Sequence, residues 1–211
     1  MAPTPLLLTR NEAARLSGAS ATTVNKAIEQ RVVATRSHGN TSLIDARDVA
    51  ALKLFAGLRF ALPVTSKRQL AAWLRTAPAG AEEPLGPGIV VRKTEDLELA
   101  AQAAKRYAEL KARLLEIDPA RQGGEPVIRG TRVPVRALAR QIETGETPEV
   151  LARDYDHLDP DAFEFAVAWA RANPRRGRPA KGTPAAGPDR EPAGRKELIE
   201  RRRRAADADA S

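Results

Sequence analysis

Five polar residues within a span of seven, Ser20, Thr22, Thr23, Asn25 and Lys26, have the sizes and hydrogen-bonding groups that read a nucleic-acid groove. On a helix, short hydroxyl side chains near its start let the backbone approach phosphate. Asn25 and Thr23 reach base edges there, and Lys26 reaches phosphate or guanine. Arg36, His38 and Asn40 follow in a polar run, placed to touch the flanking backbone or the minor groove. A second set lies near the far end, where Arg175, Arg176, Arg178 and Lys181 surround the string Arg-Gly-Arg-Pro. An extended backbone with Gly between two arginines fits a narrow A·T minor groove. The same guanidinium groups fit a pocket of clustered carboxylates on a protein. A solvated basic linker would have this composition too, so the residues alone leave three roles open. The basic block Arg201 to Arg204 is equally ambiguous.

Other chemistries find little material. There are no cysteines, which removes thiolate nucleophiles, disulfides and cysteine-ligated metals together. Only His38 and His157 are present, one in the polar run and one in an Asp-rich turn, so no nucleophile, base and orienter are assembled. Asp154, Asp156, Asp159 and Asp161 are better explained by a helix start than by a metal. No phosphate-cradling glycine loop of the P-loop form occurs. The expectation is a protein that is not an enzyme and needs no cofactor.

Charge is unevenly placed. Residues 1–62 hold 8 basic and 4 acidic residues, residues 63–172 hold 16 and 17, and residues 173–211 hold 11 and 6. Two basic ends on a neutral centre suit polyanionic or acidic partners. With 42% hydrophobic residues and only 4% aromatic, the core must be built from Ala, Val, Leu and Ile. No stretch approaches the roughly 20 apolar residues of a membrane span. The start of the chain lacks the features of a signal peptide. No membrane association and a cytoplasmic location are expected.

The elements that must position these residues follow from caps and periodicity. Thr9 with Glu12 forms a capping box before Ala13, Ala14 and Leu16, and Gly18 stops that helix. Ser20 caps a second helix carrying Val24, Ala27 and Ile28. Two helices joined by Ser17-Gly18-Ala19 meet the requirement of a helix-turn-helix, with the second helix as reader. Val32-Val33 and Leu43-Ile44 around Gly39-Asn40 suggest a two-stranded wing. Asp45 or Asp48 starts a third helix with Val49, Leu52, Leu54, Phe55 and Leu58, ended by Pro63.

Thr65 to Leu74 reads as a short helix packing Leu70, Trp73 and Leu74. Residues 76–88, with three prolines and three glycines, read as a loop, and Gly88 to Arg92 as a strand. A long helix from Thr94 to about Leu115 carries a stripe of Leu97, Ala101, Ala104, Ala108, Leu110 and Leu114. Pro126 to Val135 reads as a short hairpin. Three compact helices follow: one lined by Val135, Leu138 and Ile142 and ended by Gly145; one capped by Thr147 with Pro148; and one capped by Asp159 with Pro160, its inner face Phe163, Val167 and Ala170. From Asn173 the large apolar residues almost vanish, so the tail is expected to be disordered when free.

Two resemblances refine this. Leu8-Thr9-Arg10-Asn11-Glu12-Ala13-Ala14-Arg15-Leu16-Ser17-Gly18-Ala19-Ser20, with Asp45-Ala46-Arg47-Asp48-Val49, resembles the first half of MerR-like winged helices over about residues 6–60. It departs where their usual Arg-Tyr pair of the wing is replaced by Ser42-Leu43-Ile44. Ile117-Asp118-Pro119 and Gly123-Gly124-Glu125-Pro126-Val127-Ile128-Arg129-Gly130-Thr131-Arg132-Val133-Pro134-Val135 resemble the small bacterial DUF433 domain over roughly residues 114–172. Proteins that join these two parts to a flexible tail resemble VapB-type antitoxins, whose partners are PIN-like ribonuclease toxins.

The expected architecture is mainly α with a short β wing and hairpin. A winged helix-turn-helix spans 6–62, a connecting helical region with a short strand 63–115, a three-helix DUF433-like domain 116–172 and a basic toxin-binding tail 173–211. The resemblance implies an antitoxin of a type II toxin-antitoxin system, which binds operator DNA, represses its operon and neutralises the nuclease, as a homodimer or a heterotetramer with the toxin. A stand-alone transcriptional regulator is the alternative. Although its three helices resemble a second helix-turn-helix, the last carries Asp159, Asp161 and Glu164 near its start, where they would repel phosphate. That domain is therefore expected to pair with protein.

Overall fold

Thr9 sets the first helix in place. Its hydroxyl accepts from the Glu12 amide at 3.3 Å while the Thr9 amide donates to the Glu12 carboxylate at 2.7 Å, so the capping box is complete. In the computed structural model, which describes residues 6–38, 41–118 and 124–174, helix α1 runs Arg10–Ser17. Gly18 ends it with φ of +71°, a conformation that a side chain would strain. Ser20 then caps α2 (Ala21–Glu29), its oxygen accepting from the Thr23 amide at 3.1 Å. The end of α2 is closed by Arg31 at φ +51° and by the Val32 amide, which donates back to the Ala27 carbonyl.

Strand β1 (Leu7–Leu8) lies beside β3 (Thr41–Asp45), which in turn pairs with β2 (Thr35–His38). All pairings are antiparallel, with Thr35 opposite Ile44 and His38 opposite Thr41. That register sends Leu8 and Ile44 fully into the core.

Both candidate starts of the third helix are used, for different purposes. Asp45 caps a single 3₁₀ turn (Ala46–Asp48) by accepting from the Arg47 amide. Asp48 sits directly before α3 (Val49–Gly57) and makes no side-chain cap. It is wholly buried, and accepts from the Ala34 amide at 2.7 Å and from both arms of the Arg75 guanidinium at 2.7 and 3.0 Å. Burial pushes its carboxyl above the ordinary value, against the pull of Arg75. The helix ends at Gly57, well before Pro63.

Helix α4 (Val64–Leu74) buries Leu70, Ala71 and Leu74, and its Arg68 donates twice to the Gln30 carbonyl at the end of α2. The proline-rich stretch after it differs from expectation. Residues Glu82–Gly86 form strand β4, paired with β5 (Ile89–Arg92). Pro84 is tolerated because that pair needs nothing from its missing N–H.

Helix α5 (Glu95–Leu114) is the scaffold. Leu97, Ala104, Ala108, Leu110 and Leu114 are buried as the stripe predicts, joined by Ala100 and Tyr107. After it, β6 (Leu115–Glu116) pairs with β7 (Val127–Ile128). Helices α6 (Val135–Glu143), α7 (Pro148–Asp154) and α8 (Asp161–Ala172) follow. Thr147 caps α7 as expected, and Asp159 caps the start of α8 through the Asp161 amide at 2.9 Å. The buried face of α8 is Ala162, Phe163, Phe165, Ala166, Trp169 and Ala172, so the face through Val167 and Ala170 is only its margin. Docking on α5 turns the helix so that Phe165 stacks against Tyr107, with ring centres 5.9 Å apart. Trp169 is covered by Arg136, 4.8 Å above its ring.

One continuous core runs from Leu8 through α5 to Trp169. At its centre Glu12, 1% exposed, accepts from the Tyr107 hydroxyl at 2.9 Å, the Lys111 ammonium at 2.6 Å and the Asn173 amide at 3.3 Å. Among the described residues no buried polar side-chain atom lacks a partner. Truncating Glu12 to Ala leaves the buried Tyr107 hydroxyl and the half-buried Lys111 ammonium unmatched and should cost about 3 kcal/mol, read as a lowered denaturant midpoint.

Burial, then the charge of Glu12, pushes the Tyr107 hydroxyl well above its ordinary value. The unfolded chain releases that proton above about pH 10 while the folded chain keeps it. The resulting stability is complete below pH 10 and declines above it. Tyr107→Phe should lower the midpoint at pH 8 through the lost hydrogen bond, yet show a shallower fall between pH 8 and 11.

Candidate nucleic-acid interface

The residues singled out on α2 share one open side of the helix. Val24 and Ala27 face inward and are buried. That leaves Ser20, Thr22 and Lys26 exposed, with Thr23 and Asn25 half-exposed. Ser20 and Thr23 are partly occupied with each other, their hydroxyl oxygens 3.0 Å apart. The Asn25 carbonyl oxygen accepts from Arg10 at 3.4 Å, a bond that does not use its amide N–H groups. Arg10 therefore joins the same surface. Local sequence marks Arg10 only as part of a capped first turn, and its fifteen-residue spacing from Asn25 closes only in three dimensions.

On the hairpin, Arg36 is exposed in β2, and the backbone of His38 is its last residue. Asn40 lies outside the described residues, as do Arg175, Arg176, Arg178 and Lys181. Beside Thr23 and Lys26 a cleft of about 160 Å³ opens, floored by Ala27, Phe55 and Phe60 and edged by Lys67.

Ion pairing divides the molecule. Among the described residues, Arg10, Arg15, Lys26, Arg31, Arg36, Arg59, Lys67 and Arg68 make no ion pair. In that part only Arg47, with Asp45, and Lys53, with Asp96, do so. From Arg75 to Arg113 every Lys and Arg is paired: Arg75 with Asp48, Arg92 with Glu82, Lys93 with Glu98, Lys105 with Glu109, Arg106 with Asp161 and Glu164, Lys111 with Glu12, and Arg113 with Asp159 and Asp161. Among the described residues, eight of the ten Lys and Arg up to Arg68 are thus without an ion pair, as are Arg129, Arg136, Arg140 and Arg153 further on, while the cations from Arg75 to Arg113 are spent on the scaffold.

The acidic start of α8 is tied to α5 by partly exposed ion pairs. Its carboxylates hold Arg106 and Arg113, so their first role is to fasten the C-terminal helices to the scaffold. The motif after β7 is also consumed by structure. The Arg129 guanidinium donates to the carbonyls of Arg113, Ala112 and Leu115 at 2.9, 3.2 and 2.8 Å, closing the C-terminus of α5. Gly130 supplies φ of +74° and donates its amide to Glu116 at 3.1 Å. The Thr131 hydroxyl donates to the Ile128 carbonyl at 2.8 Å and accepts from the Val133 amide at 3.1 Å, fixing the turn into α6.

Among the described residues no group of three or more metal-ligating side chains converges, and no helix is long and apolar enough to cross a membrane.

Residues 115–170 match the family model "Protein of unknown function (DUF433)", so a DUF433 domain is present from β6 to α8. A curated relative, the uncharacterized protein y4eO of Sinorhizobium fredii, is 37% identical over 78 residues. That match spans 36% of this chain and 35% of the relative, so the chain corresponds to about a third of its length. A crystal structure of Rv2018 from Mycobacterium tuberculosis aligns with 79% of this chain and 98% of its own, at 19% identity and a TM-score of 0.36.

Replacing Arg113 by Ala should uncover Asp159 and Asp161 and loosen α8 from α5. As the pairs are partly exposed, the expected loss is about 1 kcal/mol in urea unfolding, with nucleic-acid affinity unchanged.

Proposed function

We propose that the chain is an operator-binding protein whose first sixty residues act as a MerR-like winged helix-turn-helix, and that it serves as the antitoxin of a type II toxin-antitoxin pair. The single observation behind the DNA reading is the set of cations without carboxylate partners beside α2: Arg10, Arg31, Lys67 and Arg68 lie next to a helix whose outer side is Ser20, Thr22, Thr23, Asn25 and Lys26. Uncompensated surface charge of this kind releases counterions on meeting phosphate. In this reading α2 enters the major groove, Asn25 offers its amide N–H groups to an acceptor on a base edge, and Arg10 and Lys26 position it on phosphate. Arg36, with His38 and Asn40, touches the flanking backbone from the hairpin.

The antitoxin half of the reading is supported by the resemblance of the joined parts to VapB-type proteins and by the basic composition after Asn173. The DUF433 domain would assemble the complex, since its acidic start of α8 is committed to α5 and does not suit DNA. The tail would then place Arg175, Arg176, Arg178 and Lys181 against the carboxylates of a PIN-like ribonuclease and order as it binds.

Binding to the promoter fragment of its own operon should weaken as salt rises. Lys26→Ala or Arg36→Ala should each lower affinity and reduce the salt slope by about one unit. Affinity that is negligible and insensitive to salt would refute the DNA reading. Deleting residues 174–211 should abolish nuclease inhibition while promoter binding persists. Full inhibition by the truncated protein would refute the tail mechanism.

A further inference from the structure

Three helices meet around the cleft beside Lys26. Thr23, Lys26 and Ala27 of α2, with Gln30 at its end, form one wall at helical spacing. The end of α3 supplies Phe55, the chain just after it supplies Leu58 and Phe60, and α4 supplies Lys67. The walls are tied together at the base. Arg68 of α4 donates twice to the Gln30 carbonyl, at 3.0 and 2.7 Å, and the Val32 amide returns to the Ala27 carbonyl at 2.9 Å. The cleft measures about 160 Å³. An apolar cavity of about 150 Å³ holds one benzene ring.

The lining is of two kinds. Ala27, Val32, Phe55, Leu58 and Phe60 are apolar, and Phe60 leaves 59% of its surface uncovered. Lys26 and Lys67 bring one ammonium group from each of two helices, and among the described residues neither makes an ion pair or a side-chain hydrogen bond. No carboxylate lines the cleft. Gln30 adds a side-chain amide and Thr23 a hydroxyl. Such a site selects by exclusion. An inorganic anion would leave the aromatic surface wet, and a neutral ring would leave two cations unmatched. One aromatic ring carrying one carboxylate satisfies both parts within the available volume.

We infer that this cleft binds a small aromatic monocarboxylate. Its ring lies against Phe55 and Phe60, its carboxylate sits between Lys26 and Lys67, and the Gln30 amide donates to the same carboxylate. The lysine stems cover the ring edge while their ammonium groups hold the charge. A regulatory consequence follows and rests on the DNA reading given above, whereas the site itself does not. Lys26 cannot neutralise a DNA phosphate while a carboxylate occupies it, so acid and operator compete, and each weakens the other by the same factor.

The test titrates the full chain with benzoate at constant ionic strength, followed by calorimetry and amide chemical shifts. Benzoate should bind with a dissociation constant of about 0.1–1 mM and move the amides of Thr23, Gln30 and Phe60. Benzyl alcohol, a ring without the charge, and inorganic phosphate, a charge without the ring, should each bind at least about tenfold more weakly. Phe60→Ala and Lys67→Gln should each weaken benzoate about tenfold, with far-UV circular dichroism unchanged because neither residue lies in the core. Saturating benzoate should raise the dissociation constant for the promoter duplex at least about threefold in wild type, and less in Phe60→Ala. No binding below about 10 mM, shifts confined to other surfaces, or equal affinity in both variants overturns the inference. Equal binding of benzyl alcohol or phosphate overturns the ligand class. Benzoate binding that leaves promoter affinity unmoved overturns the competition. A wild-type chain that binds no promoter duplex refutes the DNA reading alone, since the benzoate titration contains no DNA.

Discussion

Glu12 is a carboxylate with almost no access to water, and four groups from three distant stretches of chain converge on it. The Thr9 amide belongs to the helix it caps, Tyr107 and Lys111 belong to α5, and Asn173 closes α8. A buried charge is tolerable only when matched, so each of these partners is obliged to be where it is. The consequence is geometric. The helix that orients α2 is locked to the scaffold that carries the DUF433 domain, and the residue that fixes the lock also ends the last described helix. Asp48 repeats the arrangement on a smaller scale, joining the 3₁₀ turn before α3 to the last turn of α4 and to the backbone at Ala34.

Once those locks are set, charge is distributed by necessity. Carboxylates along α5 and α8 are drawn into pairs with the cations beside them, and among the described cations of the first seventy residues only Arg47 and Lys53 are paired. Exposed pairs contribute little stability individually. They tie the acidic start of α8 to α5, where Asp159, Asp161 and Glu164 engage Arg106 and Arg113.

The segment with the most distinctive sequence turned out to be architectural. Arg129, Gly130 and Thr131 respectively cap α5, reverse the chain and pin the turn into α6. A motif can be specific because a backbone crossing admits few residues. In this chain the helix end at Leu114 needs an arginine to reach three carbonyls, and the next position needs a left-handed backbone.

By itself the sequence determined the local structure. Caps at Thr9, Ser20 and Thr147, the stop at Gly18 and the periodicity of α5 act over a few residues, and their energetics do not depend on what lies across the core. The open polar side of α2 was readable for the same reason. Tertiary structure decided which charges are spent. Nothing near Glu12 in the chain reveals that it meets Tyr107, Lys111 and Asn173, and nothing near Asp48 reveals Arg75. Prolines and glycines mark residues 76–88 locally as turns, while the register against β5 makes Pro84 harmless in strand β4. Periodicity gives the width of the apolar stripe of α8, and only docking on α5, with Phe165 against Tyr107 and Trp169 under Arg136, sets its rotation.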